Sequence, residues 1–85
     1  MSASQLSTAD RVLNRLASIT NTDEVKRNLD LELFEAGVVD SLAAVQLMVA
    51  LSEEFDTEIS PAEVEREEWA TPRKIIAYME KRIQQ

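Results

Sequence analysis

Apolar side chains recur along the chain at spacings of three and four residues, which place them on one face of a helix. Several segments show this period, and polar stretches separate them. They predict helices over residues 7–20, 41–55, 61–68 and 72–84. No segment sustains the alternation of apolar and polar residues that marks a half-buried strand. The pattern therefore predicts an all-α fold, a small four-helix bundle.

Residues typical of helix N-termini stand at the predicted starts. Ser7 is followed three residues later by Asp10, which resembles a capping box with aspartate in place of glutamate. The tetrapeptide SPAE at 60–63 supplies a serine cap, a proline at the first helical position and a glutamate. Thr71 and Pro72 repeat the arrangement of cap and proline. Because this second start follows so soon, the third helix must be short.

A long connection, residues 21–40, joins the first two predicted helices. Its apolar residues indicate a loop packed against the core, with one short helical turn. They are Val25, Leu29, Leu31, Leu33 and Phe34. The single glycine of the chain, Gly37, predicts a turn with a positive φ angle.

The second predicted helix is apolar on two sides, since nine of the ten residues from Leu42 to Leu51 are apolar. One stripe consists of Ala44, Leu47, Met48, Leu51 and Phe55. The other consists of Leu42, Val45 and Val49 and is called the apolar strip below. A domain of 85 residues has a single core and covers one stripe well. We expect the apolar strip to be exposed for docking, unless the long connection folds over it.

Composition and charge narrow the classes of partner. Sixteen acidic and nine basic residues give a net charge of −7, which disfavours binding to nucleic acid or to an anionic membrane. No apolar run approaches the roughly 18 residues that span a bilayer. No secretory leader is visible and the chain has no cysteine, so we expect a cytoplasmic monomer that does not insert into membranes. The acidic cluster over residues 53–68 is either a surface for basic partners or a solvated face.

Ser41 begins the apolar helix directly behind Asp40, and one of the two must cap it. A catalytic serine needs a base, usually histidine, and the chain has no histidine. Without histidine or cysteine, only carboxylates remain for a metal, and their spacing matches no EF-hand loop. We therefore predict neither a serine hydrolase nor a metal site. A helix N-terminus favours a phosphate, so Ser41 suits attachment of a phosphate-linked group by another enzyme.

The stretch GVVDSLAAVQLMVALSEEFDTEIS, residues 37–60, resembles the phosphopantetheine attachment region of acyl and peptidyl carrier proteins. Asp40, Ser41 and Leu42 stand at its attachment motif, and the resemblance extends from residue 6 to residue 83. Within that family, DEVKRNLDLELFEAGVVDS and EREEWATPRKI are similar to the D-alanyl carriers of teichoic acid D-alanylation. The resemblance implies one carrier domain over residues 1–85, an acyl-carrier-protein-like four-helix bundle with a long first loop and a short third helix.

The resemblance also implies a function without catalysis. A phosphopantetheinyl transferase would attach 4′-phosphopantetheine from coenzyme A to Ser41, and a D-alanine-activating ligase would charge its thiol. A membrane O-acyltransferase would then take the D-alanine for lipoteichoic acid in cell wall biogenesis, with partners docking on the apolar strip. One alternative is a stand-alone acyl or peptidyl carrier of a fatty acid, polyketide or nonribosomal peptide pathway. The other is a helical interaction module in which Ser41 only caps its helix.

Overall fold

The structure, a computed structural model, describes residues 6–83. Within that range it contains helices and turns and no strand, so the predicted all-α class is confirmed. The α-helices are α1 (Thr8–Thr20), α2 (Glu24–Arg27), α3 (Ser41–Phe55) and α4 (Pro72–Ile83). Two 3₁₀ helices, Pro61–Glu63 and Arg66–Trp69, lie between α3 and α4. The predicted last residue of the final helix, residue 84, lies outside the described residues.

Side chains and backbone conformation set the ends of α1 and α3. The Ser7 hydroxyl accepts a hydrogen bond from the Asp10 amide at 3.1 Å, as the sequence predicts. Both helices end on a residue with left-handed backbone, Asn21 with φ 59° and Asp56 with φ 52°. Asparagine and aspartate tolerate this conformation better than other residues with a side chain.

The core lies between α1, α3 and α4. Leu16, Leu51 and Met79 contribute one fully buried side chain from each of these helices. Trp69 closes one end of the core, and its ring meets that of Tyr78 edge to face at 5.5 Å. Helix α1 contacts α2, α3 and α4, and one side of α3 is left uncovered.

The long connection packs as predicted and contains the short helix α2. Val25 and Leu33 are fully buried, and Gly37 has a φ of 74°. The Leu33 amide donates to the Ala70 carbonyl at 2.8 Å, so backbone hydrogen bonding ties this loop to the segment before α4. The residues of the apolar strip stay exposed, so the loop does not cover the strip.

The prediction of one helix over residues 61–68 is wrong, because two separate 3₁₀ helices occupy this part of the chain. Ser60 makes no side-chain cap, and Val64 has extended backbone with ψ 126°. Val64 and Trp69 both pack toward the core. Residues five apart lie about 140° apart around an α-helix, so one straight helix would bury only one of them. The break at Val64 lets both side chains reach the interior.

Candidate functional site

The site begins with the cap of α3, which Asp40 provides. The side-chain Oδ1 of Asp40 accepts a hydrogen bond from the Ala43 amide at 2.8 Å. The backbone carbonyl of Asp40 accepts one from the Ala44 amide at 2.9 Å. Ser41 is the first residue inside the helix, and its side chain is exposed. The hypothesis that Ser41 is present only as a cap is therefore wrong. Its hydroxyl is available for chemistry because its neighbour holds the helix end.

The backbone around Ser41 favours an anion. The amides of Ser41 and Leu42 occupy helix positions for which an α-helix supplies no acceptor. Together with the positive end of the helix dipole, these donors stabilise negative charge close to the serine. A phosphate ester on the Ser41 oxygen would lie next to this end of the helix.

The apolar strip extends from Ser41 along the uncovered side of α3. Leu42 is 67 % exposed, Val45 40 % and Val49 53 %, whereas Leu47 on the opposite side is 1 % exposed. The exposure predicted for the strip is confirmed, and the alternative of a loop folded over it is excluded. Its use by partner proteins stays a prediction.

A cleft of about 170 Å³ opens beside Ser41, between α3 and the 3₁₀ segment. Mostly apolar side chains line it, together with one arginine. The lining residues are Phe34, Ser41, Ala44, Val45, Met48, Pro61, Val64, Arg66 and Trp69. Sequence analysis missed Phe34 and Arg66 as members of the site. Their spacing in the sequence does not relate them to Ser41. The backbone hydrogen bond between Leu33 and Ala70 joins the two segments that carry them.

The charged groups with displaced pKa values are ion-paired. Hydrogen bonding from Arg11, and then from Arg15, lowers the pKa of Glu54 despite its partial burial. Arg73 lowers the pKa of the exposed Asp30 in the same way, first by hydrogen bonding and then by its charge. None of these groups lines the cleft. These ion pairs join helices and loops to one another and lie outside the cleft that Ser41 and Arg66 line.

Within residues 6–83, the structure offers neither a metal site nor a membrane span. Histidine, cysteine and carboxylate side chains form no group of three or more that would hold a metal ion. Among the helices described, none combines the length and the apolar character needed to cross a membrane.

Comparison with protein families identifies the class to which this helix and serine belong. Residues 10–79 match the family model described as the phosphopantetheine attachment site. The match covers most of the chain and includes α3 with Ser41. The chain therefore belongs to the phosphopantetheine attachment family, whose members are carriers and not themselves catalysts.

Curated relatives narrow the class. The chain is 49 % identical over 69 residues to a D-alanyl carrier protein of Lacticaseibacillus rhamnosus, covering 81 % of this chain and 85 % of the relative. It is 44 % identical over 71 residues to the D-alanyl carrier protein of Listeria monocytogenes serotype 4b, covering 84 % of this chain and 91 % of the relative. It is 42 % identical over 71 residues to the D-alanyl carrier protein of Staphylococcus saprophyticus, covering 84 % of this chain and 91 % of the relative. The predicted resemblance is confirmed, and the D-alanyl carrier type is favoured over a stand-alone acyl or peptidyl carrier.

The residues around the cleft fit a phosphopantetheine group. Ser41 offers an exposed hydroxyl that the cap does not use, and the apolar wall of the cleft suits the aliphatic part of the arm. Trp69 lines the cleft, and its buried indole Nε1–H has no acceptor within the described part of the chain. An amide carbonyl of the arm is an acceptor that such a donor can use.

Proposed function

We propose that this protein carries D-alanine as a thioester on a 4′-phosphopantetheine arm attached to Ser41, for the D-alanylation of lipoteichoic acid. The observation that carries the proposal is the exposed Ser41 hydroxyl at the start of α3, left free because Asp40 caps the helix. The names of the relatives support the choice of D-alanine. The bound group supplies the thiol, so a chain without cysteine can serve.

Each residue of the site has a separate task in this proposal. Ser41 Oγ provides the oxygen of the phosphodiester bond, and Asp40 fixes the helix end that presents it. The amides of Ser41 and Leu42 stabilise the phosphate charge. None of these residues makes or breaks the thioester, which the charging and receiving enzymes handle.

The apolar strip is the proposed docking surface for those enzymes. A phosphopantetheinyl transferase, a D-alanine-activating ligase and a membrane O-acyltransferase would each cover Leu42, Val45 and Val49 in turn. An apolar strip that stays exposed in the free protein suits such alternating partners, because each contact must form and then break. The carrier works in the cytoplasm as a monomer, where coenzyme A and the ligase's ATP are available.

Intact-mass spectrometry tests the attachment. The purified chain is incubated with coenzyme A, Mg²⁺ and a broad-specificity phosphopantetheinyl transferase. We expect a gain of one phosphopantetheine group in the wild type and in Ser18→Ala, an exposed serine on α1, but none in Ser41→Ala. A gain in Ser41→Ala, or none in the wild type, contradicts the proposal.

A second step tests the acyl group. The loaded protein is offered to a D-alanine-activating ligase with ATP and D-alanine, and thioester formation is measured by mass before and after treatment with hydroxylamine. We expect one hydroxylamine-sensitive D-alanyl group per chain. Refusal of D-alanine, together with acceptance of a fatty acyl group from a fatty acyl ligase, would assign the protein to the stand-alone carriers.

A further inference from the structure

Arg66 lies at the rim of the cleft beside Ser41. It is the first residue of the second 3₁₀ helix, and its guanidinium carbon lies 4.2 Å from the centre of the Phe34 ring. Both residues line the cleft that Ser41 also lines. A guanidinium stacked on a ring is held by its face, while its N–H donors in the plane stay available. The stack therefore orients a cation next to the serine without using up its hydrogen bonds.

The carboxylates nearest to Arg66 in the sequence make hydrogen bonds or ion pairs with other groups. Glu65 and Glu68 form a reciprocal capping box, in which the Glu65 amide donates to Glu68 Oε1 at 2.9 Å. Glu67 pairs with Lys74. In residues 6–83, the ion pairs are made by other arginines and by Lys74, and Arg66 takes part in none of them.

Among the residues of 6–83 that line the cleft, Arg66 alone carries a charge. The surrounding chain is acidic, with a net charge of −7, and Asp40 stands directly before the serine. A phosphodiester placed on Ser41 therefore adds an anion beside an aspartate. An arginine at the same cleft offsets that repulsion and can donate two parallel hydrogen bonds to the phosphate oxygens.

We infer that Arg66, oriented by Phe34, is a positioning residue that binds the phosphodiester of the arm and directs the arm along the cleft past Trp69. The inference rests on the proposed attachment at Ser41. Its ligand is a phosphodiester monoanion covalently bound to this chain. The phosphate is then held from two sides, by the helix amides and by the guanidinium. The buried Trp69 indole N–H gains an acceptor from the arm.

Nuclear magnetic resonance of the loaded and unloaded protein tests this arrangement directly. In ¹⁵N-labelled protein, we expect the Nε–H resonance of Arg66 and the indole resonance of Trp69 to shift when the arm is attached. Arg73, which is paired with Asp30 outside the cleft, is the internal control and should not move. Intact mass of the same sample reports the degree of loading. Absent loading refutes the attachment at Ser41, whereas full loading with an unmoved Arg66 resonance overturns only the role of Arg66.

The ³¹P resonance of the arm supplies an independent measurement. In Arg66→Gln, we expect it to move toward its position in the urea-unfolded loaded protein, with Arg66→Lys between Gln and the wild type. Arg73→Gln is the matched control and should equal the wild type. Circular dichroism verifies that each variant is folded. Equal ³¹P positions in wild type and Arg66→Gln would overturn the inference. A shift seen only in the presence of the ligase would do so too, because it would assign Arg66 to partner docking.

Discussion

The two sides of α3 are made of the same kinds of residue and have opposite surroundings. Leu47 and Leu51 on one side are 1 % and 0 % exposed, whereas Leu42 and Val49 on the other are 67 % and 53 % exposed. Hydrophobicity does not distinguish them. What separates them is which side packs against α1 and the core, because a domain this small packs its helices around one core.

Under the proposed function, apolar residues of α3 have two uses. Burial of the inner side stabilises the fold by removing apolar surface from water. The outer side forgoes that gain in the free protein, and under the proposed function the gain is made when a partner covers the strip. Truncations, added charges and cap variants can test this division between the inner and the outer side.

Truncation of the inner side should have the largest effect on stability. Leu51→Ala removes a fully buried side chain, so we expect the free energy of unfolding to fall by about 2–5 kcal/mol. Val49→Ala on the outer side is the matched control, with an expected change within roughly 0.5 kcal/mol. Urea unfolding followed by circular dichroism measures both. Similar falls for the two variants would show that the outer side is also part of the core.

Placing a charge on the outer side should disable transfer while sparing the fold. With Val45→Asp, docking would bury an unpaired carboxylate, so we expect D-alanine charging by the ligase to slow by about tenfold or more. Ser18→Asp, at an exposed position on α1, adds the same charge away from the strip and should charge within roughly twofold of the wild type. If both variants slow equally, net charge and not the strip explains the loss.

The cap of α3 should contribute more to stability than the serine behind it. Asp40→Ala removes the acceptor of the Ala43 amide, and we expect a loss of about 0.5–2 kcal/mol in the free energy of unfolding. Ser41→Ala should change it by roughly 0.5 kcal/mol or less, because its side chain is exposed and does not cap the helix. The two variants are compared by urea unfolding. A larger loss of unfolding free energy in Ser41→Ala than in Asp40→Ala would show that Ser41, and not Asp40, caps the helix.

The last turn of α3 should give the smallest effect, and one that depends on pH. Arg11 lowers the pKa of Glu54, chiefly by a hydrogen bond from Nε to Oε2 at 2.8 Å. The charged form therefore stabilises the folded chain above the ordinary pKa of 4.5, and this contribution is lost as the pH falls through the lower value of the folded state. Glu54→Gln should lose about 0–1 kcal/mol at pH 7.

Urea midpoints between pH 7 and about pH 3 check the Glu54 prediction, since the window lies below the ordinary carboxyl pKa. The difference in urea midpoint between the wild type and Glu54→Gln should become smaller as the pH falls. Glu53→Gln, an exposed neighbour without an ion pair in the described part of the chain, is the control and should follow the wild type. A gap that stays constant with pH would refute the ionic contribution.

The sequence alone was sufficient for the parts of the fold that obey helical spacing. The limits of α3 followed from the apolar run and the Asp40–Ser41 pair, and Ser7 marked the start of α1. The segment 61–68 was mispredicted because cap and proline signals are the same for an α-helix and a 3₁₀ turn. What decided it was the burial of Val64 and Trp69, which depends on tertiary packing.

Some residues of the candidate site could also be predicted from the sequence, whereas others could not. Asp40, Ser41 and Leu42 are consecutive, so a local motif identifies them. Phe34 and Arg66 are distant from the motif in sequence and are brought to the cleft by the tie between Leu33 and Ala70. No periodicity or spacing reports such a contact. The carrier domain over residues 1–85 and the docking role of the strip stay predictions.

The cap formed by Asp40 has a consequence for the life history of the protein. If Ser41 closed the helix, every modifying event would first have to unmake a native hydrogen bond, and maturation would compete with folding. Because the carboxylate of Asp40 closes it, the proposed modification of Ser41 would leave the hydrogen bond at the helix end in place. Under the proposed function, folding and loading are then separate steps, and the unmodified chain is already folded when the transferase acts.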